Sequence, residues 1–267
     1  MSKKSIIGRL LTLVSLIFAM TAFNPIPSYG ADEVLVKELK EKLILANKIL
    51  DMENLAKPLG HISVRIPETE NFLITRNVAP GMAVLEDIVV CNMEGKVIQG
   101  KHPRTFSEVV IHSGVYKKRK DIKSVTHTHS PYVIALSMTG TSLLPASFEA
   151  IELGPEPIAT FKKIVFIDKP ELGEEIADLL PPNKAVILKG HGAVVAGKSI
   201  EETTIMAIKI ELAAKLQLIA NSAGKVAPFT DQEKQPLIEF LNMVDQRGGT
   251  TTSYGRGWAY YESLMKK

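Results

Sequence analysis

The 267-residue sequence contains a single cysteine, Cys91, so no disulfide can form within the chain. Cys91 lies in the apolar stretch 88–91 and is interpreted as a buried strand residue rather than a nucleophile. The sequence also lacks a large net charge, because it contains 32 basic and 29 acidic residues. Three of the basic residues lie in the first nine positions, so the rest of the chain is balanced. This balance gives no electrostatic reason to expect nucleic acid or an anionic membrane surface as a partner.

The one long hydrophobic run lies near the N-terminus. Two lysines precede the uncharged apolar stretch 10–23, and small residues follow it up to Gly30. The stretch is shorter than the roughly 20 apolar residues that a membrane-spanning helix needs. We therefore predict that residues 1–30 are a secretory signal peptide, with an uncleaved N-terminal anchor as the alternative. The mature protein is expected to be periplasmic or secreted, without stable membrane association.

The remaining residues, 31–267, are predicted to form one domain. Its regular core spans about 39–223 and is followed by an irregular extension at 224–267. Helical or alternating spacing of apolar residues predicts the elements. The expected helices are 32–52, 107–119, 131–138, 171–180 and 199–223, and the expected strands are 60–66, 71–76, 87–92, 121–129, 185–188 and 193–196. Their succession favours an α/β fold with a mixed sheet covered by helices. The alternation in 60–66 predicts a strand that is buried on one face only.

Two histidines, His127 and His129, occupy alternate positions at the end of the predicted strand 121–129. Alternate residues of a strand point to the same face, so the two imidazoles would lie side by side. Two imidazoles presented in this way can bind one transition-metal ion. The alternative is a chance pair of histidines on a solvated strand.

A third histidine and a glutamate extend this candidate site. His191 stands between two glycines directly after the predicted strand 185–188. The glycines let the backbone bend and let a ligand approach, which makes His191 a candidate metal ligand; a turn histidine bonded to the backbone is the alternative. Glu108 lies at the start of a predicted helix, where it is either an ordinary first-turn residue or an acid–base group or fourth ligand.

The order of these motifs resembles the class II aldolase/adducin family. The resemblance covers the chain from about Leu39 to Ala220 and rests on Ser107-Glu108, His127-x-His129-Ser130-Pro131, Gly190-His191-Gly192 and a long helix holding Glu211. It implies a three-layer α/β/α sandwich around a mixed sheet and a homotetramer with sites at subunit interfaces. It also implies that Glu108 is the catalytic acid–base and that a divalent metal, usually Zn²⁺ with Mn²⁺, Co²⁺ and Mg²⁺ as alternatives, is bound by His127, His129 and His191.

The sequence departs from the sugar-phosphate aldolases of this family. Those enzymes typically carry Gly-Asn where this chain has Gly60-His61, and paired serines before the glutamate where it has Phe106-Ser107. The tyrosine that they use as a proton donor is not found, and Phe148-Glu149 occupies the region. These differences favour a substrate without a phosphate group.

The candidate substrate-binding residues are polar groups near these motifs, namely His61, Ser63, Arg65, Arg76 and Ser107. The pattern Gly60-His61-x-Ser63-x-Arg65 resembles the branch of the family that includes hydroxy-aromatic acid decarboxylases. The guanidinium of Arg65 or Arg76 could pair with a substrate carboxylate, although Arg65 could equally be a strand-surface residue.

Two further groups are kept outside the predicted site. His112 follows Glu108 by four residues and is interpreted as a core histidine, with orientation of that glutamate as the alternative. Trp258, Tyr260 and Tyr261 are interpreted as a docking cluster, with closure of an active site as the alternative.

The sequence thus predicts a divalent-metal-dependent carbon–carbon lyase. The metal would hold a hydroxy-carbonyl or hydroxy-acid substrate and stabilise enolate-like charge, while Glu108 moves the proton. Aldol cleavage and decarboxylation both fit this scheme. The alternative is a non-catalytic adducin-like binding or assembly module, against which the presence of all three histidines and Glu108 argues.

Overall fold

A computed structural model of the protein describes residues 33–265, so the predicted signal peptide lies outside the described residues. The helices are α1 (Glu33–Met52), α2 (Val109–Lys118), α3 (Pro131–Met138), α4 (Phe148–Leu153), α5 (Pro170–Asp178), α6 (Ile200–Ala223), α7 (Asp231–Arg247) and α8 (Ser253–Met265). The strands are β1 (Gly60–Arg65), β2 (Asn71–Thr75), β3 (Ile88–Asn92), β4 (Val97–Gln99), β5 (Ser124–Thr128), β6 (Thr160–Phe161), β7 (Ala185–Leu188) and β8 (Gly192–Gly197). Within 33–265 no helix has the length and apolar character needed to cross a membrane.

The strands form one mixed sheet in the order β4-β3-β2-β1-β5-β8-β7-β6. Only β6 and β7 pair in parallel; the other neighbours are antiparallel. One face packs against α1, α3, α4, α6 and α8, and the other face packs against α2 and α5. Both apolar faces of the sheet are therefore covered, which confirms the predicted α/β/α sandwich.

Strand β1 is buried on both faces, so the prediction that it is half-buried is wrong. Ile62 and Val64 belong to the core on the α1 and α6 side. Ser63 and Arg65 face α2 instead, where Ser63 bonds to the Tyr116 hydroxyl and Arg65 donates to the Tyr116 carbonyl. Alternation of polar and apolar residues did not reveal this second cover, because the polar side chains are satisfied inside the protein.

Cys91 lies in β3 with no exposed surface. Burial raises the pKa of its thiol to about 12. The thiolate needed for nucleophilic attack is therefore strongly disfavoured, which agrees with its interpretation as a structural residue.

The C-terminal part is helical, so the prediction of an irregular extension at 224–267 is wrong for its described residues. Helix α7 begins with a capping box in which Thr230 and Glu233 bond to each other's main-chain N–H groups. Helix α8 buries Trp258 in the main core. The sequence signal was weak because Pro236 lies inside α7 and most of the side chains of that helix are exposed.

Helices α2 and α5 cross at main-chain contact distance because each carries a glycine at the crossing. A Cβ atom at Gly173 would lie 2.0 Å from the Val110 carbonyl oxygen, and one at Gly114 would lie 2.4 Å from the Gly173 carbonyl carbon. The distance between α2 and α5 is therefore set by main-chain contact.

Replacing Gly173 with alanine is expected to lower the free energy of unfolding by about 1–3 kcal/mol, because the added methyl overpacks the crossing. The contact at 2.0 Å is with main-chain atoms, so we expect the upper part of this range, above the roughly 1 kcal/mol that alanine contributes to helix stability over glycine. Urea unfolding checks the result, with Gly224→Ala as the control, since its added Cβ meets nothing within 4 Å. Equal midpoints for the two variants would contradict the proposed crossing constraint.

Candidate metal centre

Four side chains meet at one end of the central strands: Glu108, His127, His129 and His191, whose potential ligand atoms all lie within 4.8 Å of one another. Nε2 of His127 is 3.2 Å from Nε2 of His129 and 3.7 Å from Oε2 of Glu108. Nε2 of His191 is 3.6 Å from Oε1 of Glu108. Tetrahedral zinc with bonds of about 2.1 Å separates its ligand atoms by about 3.4 Å. The cluster therefore has the size and the donor atoms of a divalent-metal site.

The strands place the three histidines. His127 lies within β5 and pairs with His61 of β1 and Val194 of β8. His129 follows β5 directly, and its main-chain N–H donates to the Leu55 carbonyl at 2.8 Å. His191 lies in the turn between β7 and β8. Because β5 and β8 are adjacent and antiparallel, the end of one strand meets the start of the other.

Gly192 allows this meeting. Its φ of +155° and its close approach to β5 both require glycine, since a Cβ atom there would lie 1.8 Å from the Thr128 carbonyl oxygen. The glycine that follows His191 thus lets β8 start against the end of β5, which brings His191 beside His129.

The histidines are held in the form that binds metal. Nδ1 of His127 lies 3.0 Å from the Ala193 carbonyl oxygen, which can only accept a hydrogen bond. The ring proton is therefore on Nδ1, and the lone pair of Nε2 faces the cluster. Burial holds the pKa of His127 well below its usual range. Burial and the nearby His191 lower the pKa of His129 to about 4, so both rings are neutral near pH 7.

Glu108 supplies a buried carboxylate at the residue that immediately precedes α2. Burial alone would raise its pKa, but the nearby ring of His61 outweighs burial, so the pKa lies below its usual value. Among the described residues, Oε1 of Glu108 has no hydrogen-bond partner. A buried carboxylate oxygen without a partner is costly in a folded protein, and a bound cation would satisfy it.

The sequence matches the model of the Class II Aldolase and Adducin N-terminal domain over residues 41–218. The chain belongs to the class II aldolase and adducin family. It is 30% identical to the 3,4-dihydroxyphthalate decarboxylase of Arthrobacter keyseri over 214 residues, which cover 74% of this chain and 86% of that relative. It is 27% identical to the gamma-adducin of Rattus norvegicus over 267 residues, covering 92% of this chain but 37% of the adducin.

Solved structures agree with this assignment. The L-fuculose 1-phosphate aldolase from Glaciozyma antarctica PI12 superposes with a TM-score of 0.73 at 26% identity, and the match covers 90% of this chain and 93% of that chain. Family membership and the four-residue centre together support a metal-dependent lyase of the class II aldolase type.

In this family member, two of the predicted substrate-binding residues lie on β1 next to the centre. His61 is buried, and its Nε2 is 3.8 Å from Oε2 of Glu108. Ser63 lies deeper and bonds to His112 at 2.6 Å and to the Tyr116 hydroxyl at 2.7 Å. Ser63 therefore reaches the centre only through other side chains.

Arg65 does not face the centre. Its guanidinium donates to the carbonyl oxygens of Tyr116 and Ile122, and it lies 4.8 Å from the centre of the Tyr116 ring. The side chain is 6% exposed. The expected pairing with a substrate carboxylate is therefore corrected to a structural role: Arg65 satisfies main-chain carbonyls at the end of α2 and in the loop that follows it.

Arg76 lies at the rim of the centre. Extension of the β1–β2 register sets it opposite His61, one residue beyond β2. Its Nε donates to the buried carboxylate of Asp87 at 2.6 Å, while 37% of the side chain stays exposed. Nη1 donates a longer hydrogen bond to the Asn77 carbonyl at 3.5 Å, and the rest of the guanidinium is open to solvent. Ser107 is exposed beside Glu108.

Some supporting residues were not predicted from the sequence. Asp87 holds Arg76 and also accepts the main-chain N–H of Val84, but a single acid before a strand has no recognisable signature. Glu211, known only from the family resemblance, accepts the N–H groups of Tyr132 and Val133 and so caps α3 directly after the histidine pair. Asp87 and Glu211 therefore hold Arg76 and the start of α3 in place, and within residues 33–265 neither side chain forms a hydrogen bond to a candidate metal ligand.

A cleft of about 360 Å³ opens beside His191. Its walls are mainly apolar, contributed by Phe161, Ile164, Val165, Phe166, Ile167 and Leu188. Ile164 and Phe166 lie in the loop after β6 and are largely exposed. The cleft gives the open side of the centre an apolar wall.

Proposed function

We propose that the protein is an exported, divalent-metal-dependent carbon–carbon lyase acting on a non-phosphorylated hydroxy-carbonyl or hydroxy-acid substrate. The observation that carries the proposal is the convergence of three imidazoles on a buried carboxylate with an unsatisfied oxygen. Two neighbouring polar groups, His61 and Arg76, provide donors for substrate oxygens around this centre.

We propose that His127, His129 and His191 hold the ion, with Zn²⁺ as the metal. When bound, such an ion supplies Lewis-acid stabilisation of negative charge on substrate oxygen atoms. In the cleavage direction, ionised Glu108 takes a proton from a substrate hydroxyl group and then delivers it to the carbon that has lost its carbon–carbon bond. Its position is suited to this role because its carboxylate is buried and ionised, and it lies within 4 Å of three ring nitrogens.

Decarboxylation of a hydroxy-aromatic acid is the route that the surroundings favour. The open guanidinium of Arg76 matches a carboxylate in size and charge, and the apolar cleft beside His191 fits a ring. The similarity to a 3,4-dihydroxyphthalate decarboxylase supports the same route. Aldol cleavage is the second route, supported by the structural similarity to an L-fuculose 1-phosphate aldolase.

A non-catalytic binding or assembly module is the candidate from another class. The alignment with gamma-adducin over 92% of this chain favours it. The module would not need four metal-binding side chains at one point, whereas this chain has them. Purified protein that contains no metal would favour the module.

Incubation with candidate substrates in D₂O tests the lyase proposal. The metallated protein is mixed with hydroxy-ketones, 2-oxo acids and ortho-hydroxy aromatic acids, and proton NMR follows the mixture beside a Glu108→Ala control. We expect an aromatic product that has lost its carboxylate and carries deuterium. Loss of an α-proton signal instead would identify the aldolase route. A fully metallated protein that changes no compound on the panel would contradict the proposed substrate class.

We also propose export after removal of residues 1–30 and assembly as a homotetramer, without nucleic acid or membrane as stable partners. The export proposal rests on the leader sequence, and the tetramer rests on the family resemblance. N-terminal sequencing of the protein recovered outside the cytoplasm tests export, and we expect its first residue to be Ala31. Light scattering in solution tests the homotetramer.

A further inference from the structure

A chain of four buried polar side chains leads from the centre into the protein interior. Nδ1 of His61 is 2.6 Å from Nε2 of His112, and Nδ1 of His112 is 2.6 Å from Oγ of Ser63. Oγ of Ser63 is in turn 2.7 Å from the hydroxyl of Tyr116. All four residues are at most 1% exposed. Each internal contact is short enough to be a hydrogen bond, so each one needs one proton and one lone pair.

The phenol of Tyr116, at the inner end, fixes the direction in which hydrogen bonds are donated along these four side chains. Burial raises the pKa of Tyr116, so its hydroxyl keeps its proton. Within the described residues, Ser63 is the only side-chain hydrogen-bond partner of that hydroxyl. If Tyr116 donates to Ser63, then Ser63 donates to Nδ1 of His112, and each of the three internal contacts has one proton and one lone pair.

The same direction determines the tautomer of His61. His112 accepts a proton at Nδ1 and therefore donates from Nε2 to Nδ1 of His61. Neutral His61 must then carry its own proton on Nε2, which faces Glu108. The opposite direction would leave the Tyr116 proton without an acceptor and would aim the Nε2 lone pair at an ionised carboxylate.

The outer end of the chain is an unused donor. Nε2 of His61 is buried, has no hydrogen-bond partner among the described residues, and is 3.8 Å from the nearest Glu108 oxygen, which is too far for a hydrogen bond. Because Nδ1 of His61 accepts the proton of His112 Nε2, it carries no proton of its own, and the ring is a neutral donor. A buried N–H without a partner is costly, which is the usual mark of a group that bonds to a ligand.

We propose that His61 is a further catalytic residue, whose Nε2–H donates to the substrate oxygen that gains negative charge, and that His112, Ser63 and Tyr116 are positioning residues that fix its tautomer. This inference rests on the proposed lyase function and specifies how its site holds the substrate. A neutral donor fixed before the substrate arrives needs no reorganisation as charge develops. Because the ring keeps its proton, the contribution of His61 is distinct from the proton transfer assigned to Glu108.

The tautomer can be tested without a substrate. In the zinc-loaded protein labelled with ¹⁵N-histidine, long-range proton–nitrogen NMR distinguishes the protonated ring nitrogen from the bare one. We expect Nε2 of His61 to carry the proton in the parent. In Tyr116→Phe, which keeps the ring but removes the inner donor, we expect a mixture of the two tautomers. A proton on Nδ1 of His61 in the parent would overturn the proposal, whether or not a substrate has been found.

Kinetics on the substrate identified in D₂O tests the catalytic role. We expect His61→Phe to lower kcat by about 10²–10³-fold, the usual effect of removing one preorganised donor, with unchanged metal content. His61→Gln, which retains an N–H, is expected to recover part of this loss, and Tyr116→Phe to lower kcat less than His61→Phe does. A His61→Phe variant with the parent kcat would overturn the proposal, as would one that loses its metal. A metallated parent that is inactive on every compound contradicts the lyase function itself. The ¹⁵N NMR measurement reports the tautomer of His61 without a substrate, so it can still show whether the proposed tautomer is wrong.

Discussion

His127→Ala is expected to abolish metal binding and activity together. We expect the metal content to fall from about one ion per chain to below about 0.1, because a site with three protein ligands seldom tolerates the loss of its central one. His127 is the central member of the proposed ligand set: it is fully buried, its tautomer is fixed by the Ala193 carbonyl, and it lies next to both His129 and Glu108. Metal analysis of the purified protein and the turnover of the identified substrate check both parts.

His102→Ala is the matched control for this variant. His102 lies in the loop before α2, is about one-third exposed and does not belong to the metal cluster. It is expected to keep the parent's metal content. A His127→Ala protein that binds as much metal as the control would show that the ion is held elsewhere.

Glu108→Gln is expected to lower kcat by about 10²–10⁴-fold while the metal stays bound, since general acid–base groups contribute effects of this size. Glutamine has nearly the same shape as glutamate but cannot take up a proton. The three histidines remain in place, so the loss should appear in kcat rather than in metal content. Steady-state kinetics with parallel metal analysis separates the two effects.

The exposed Glu94 in the turn between β3 and β4 supplies the control, and Glu94→Gln should behave like the parent. A Glu108→Gln variant with unchanged kcat and a raised KM would contradict the acid–base role. It would assign Glu108 to substrate binding instead.

The three candidate metal ligands could be selected from the sequence because their placement is largely local. His127 and His129 lie on the same face of a strand because they occupy alternate positions. The glycines on either side of His191 indicate the turn in which it lies. Glu108 was a candidate from its position at the start of a predicted helix, but only the family resemblance favoured an acid–base role over an ordinary first-turn residue. Its contact with β5 and with the β7–β8 turn depends on how α2 packs on the sheet.

Other features depend on tertiary packing that sequence patterns do not contain. Alternation along β1 cannot show that α2 covers the polar side, so Arg65 was interpreted as a surface or substrate-binding residue. The chain from His61 to Tyr116 was missed for the same reason, because its members come from β1 and α2. The C-terminal helices were missed because their mostly exposed surfaces lack a strong apolar repeat.

The close crossing of α2 and α5 at Gly114 and Gly173 indicates which positions of this protein tolerate substitution and which do not. Glu108, His112 and Tyr116 all belong to the start or body of α2, whose approach to α5 is set by main-chain contact at the two glycines. We expect substitutions on the solvent side of α5 or in the loop 163–167 to leave this approach, and with it the proposed catalytic carboxylate, in place. For directed evolution, this means that a library confined to that loop can change substrate range while both glycines are kept fixed.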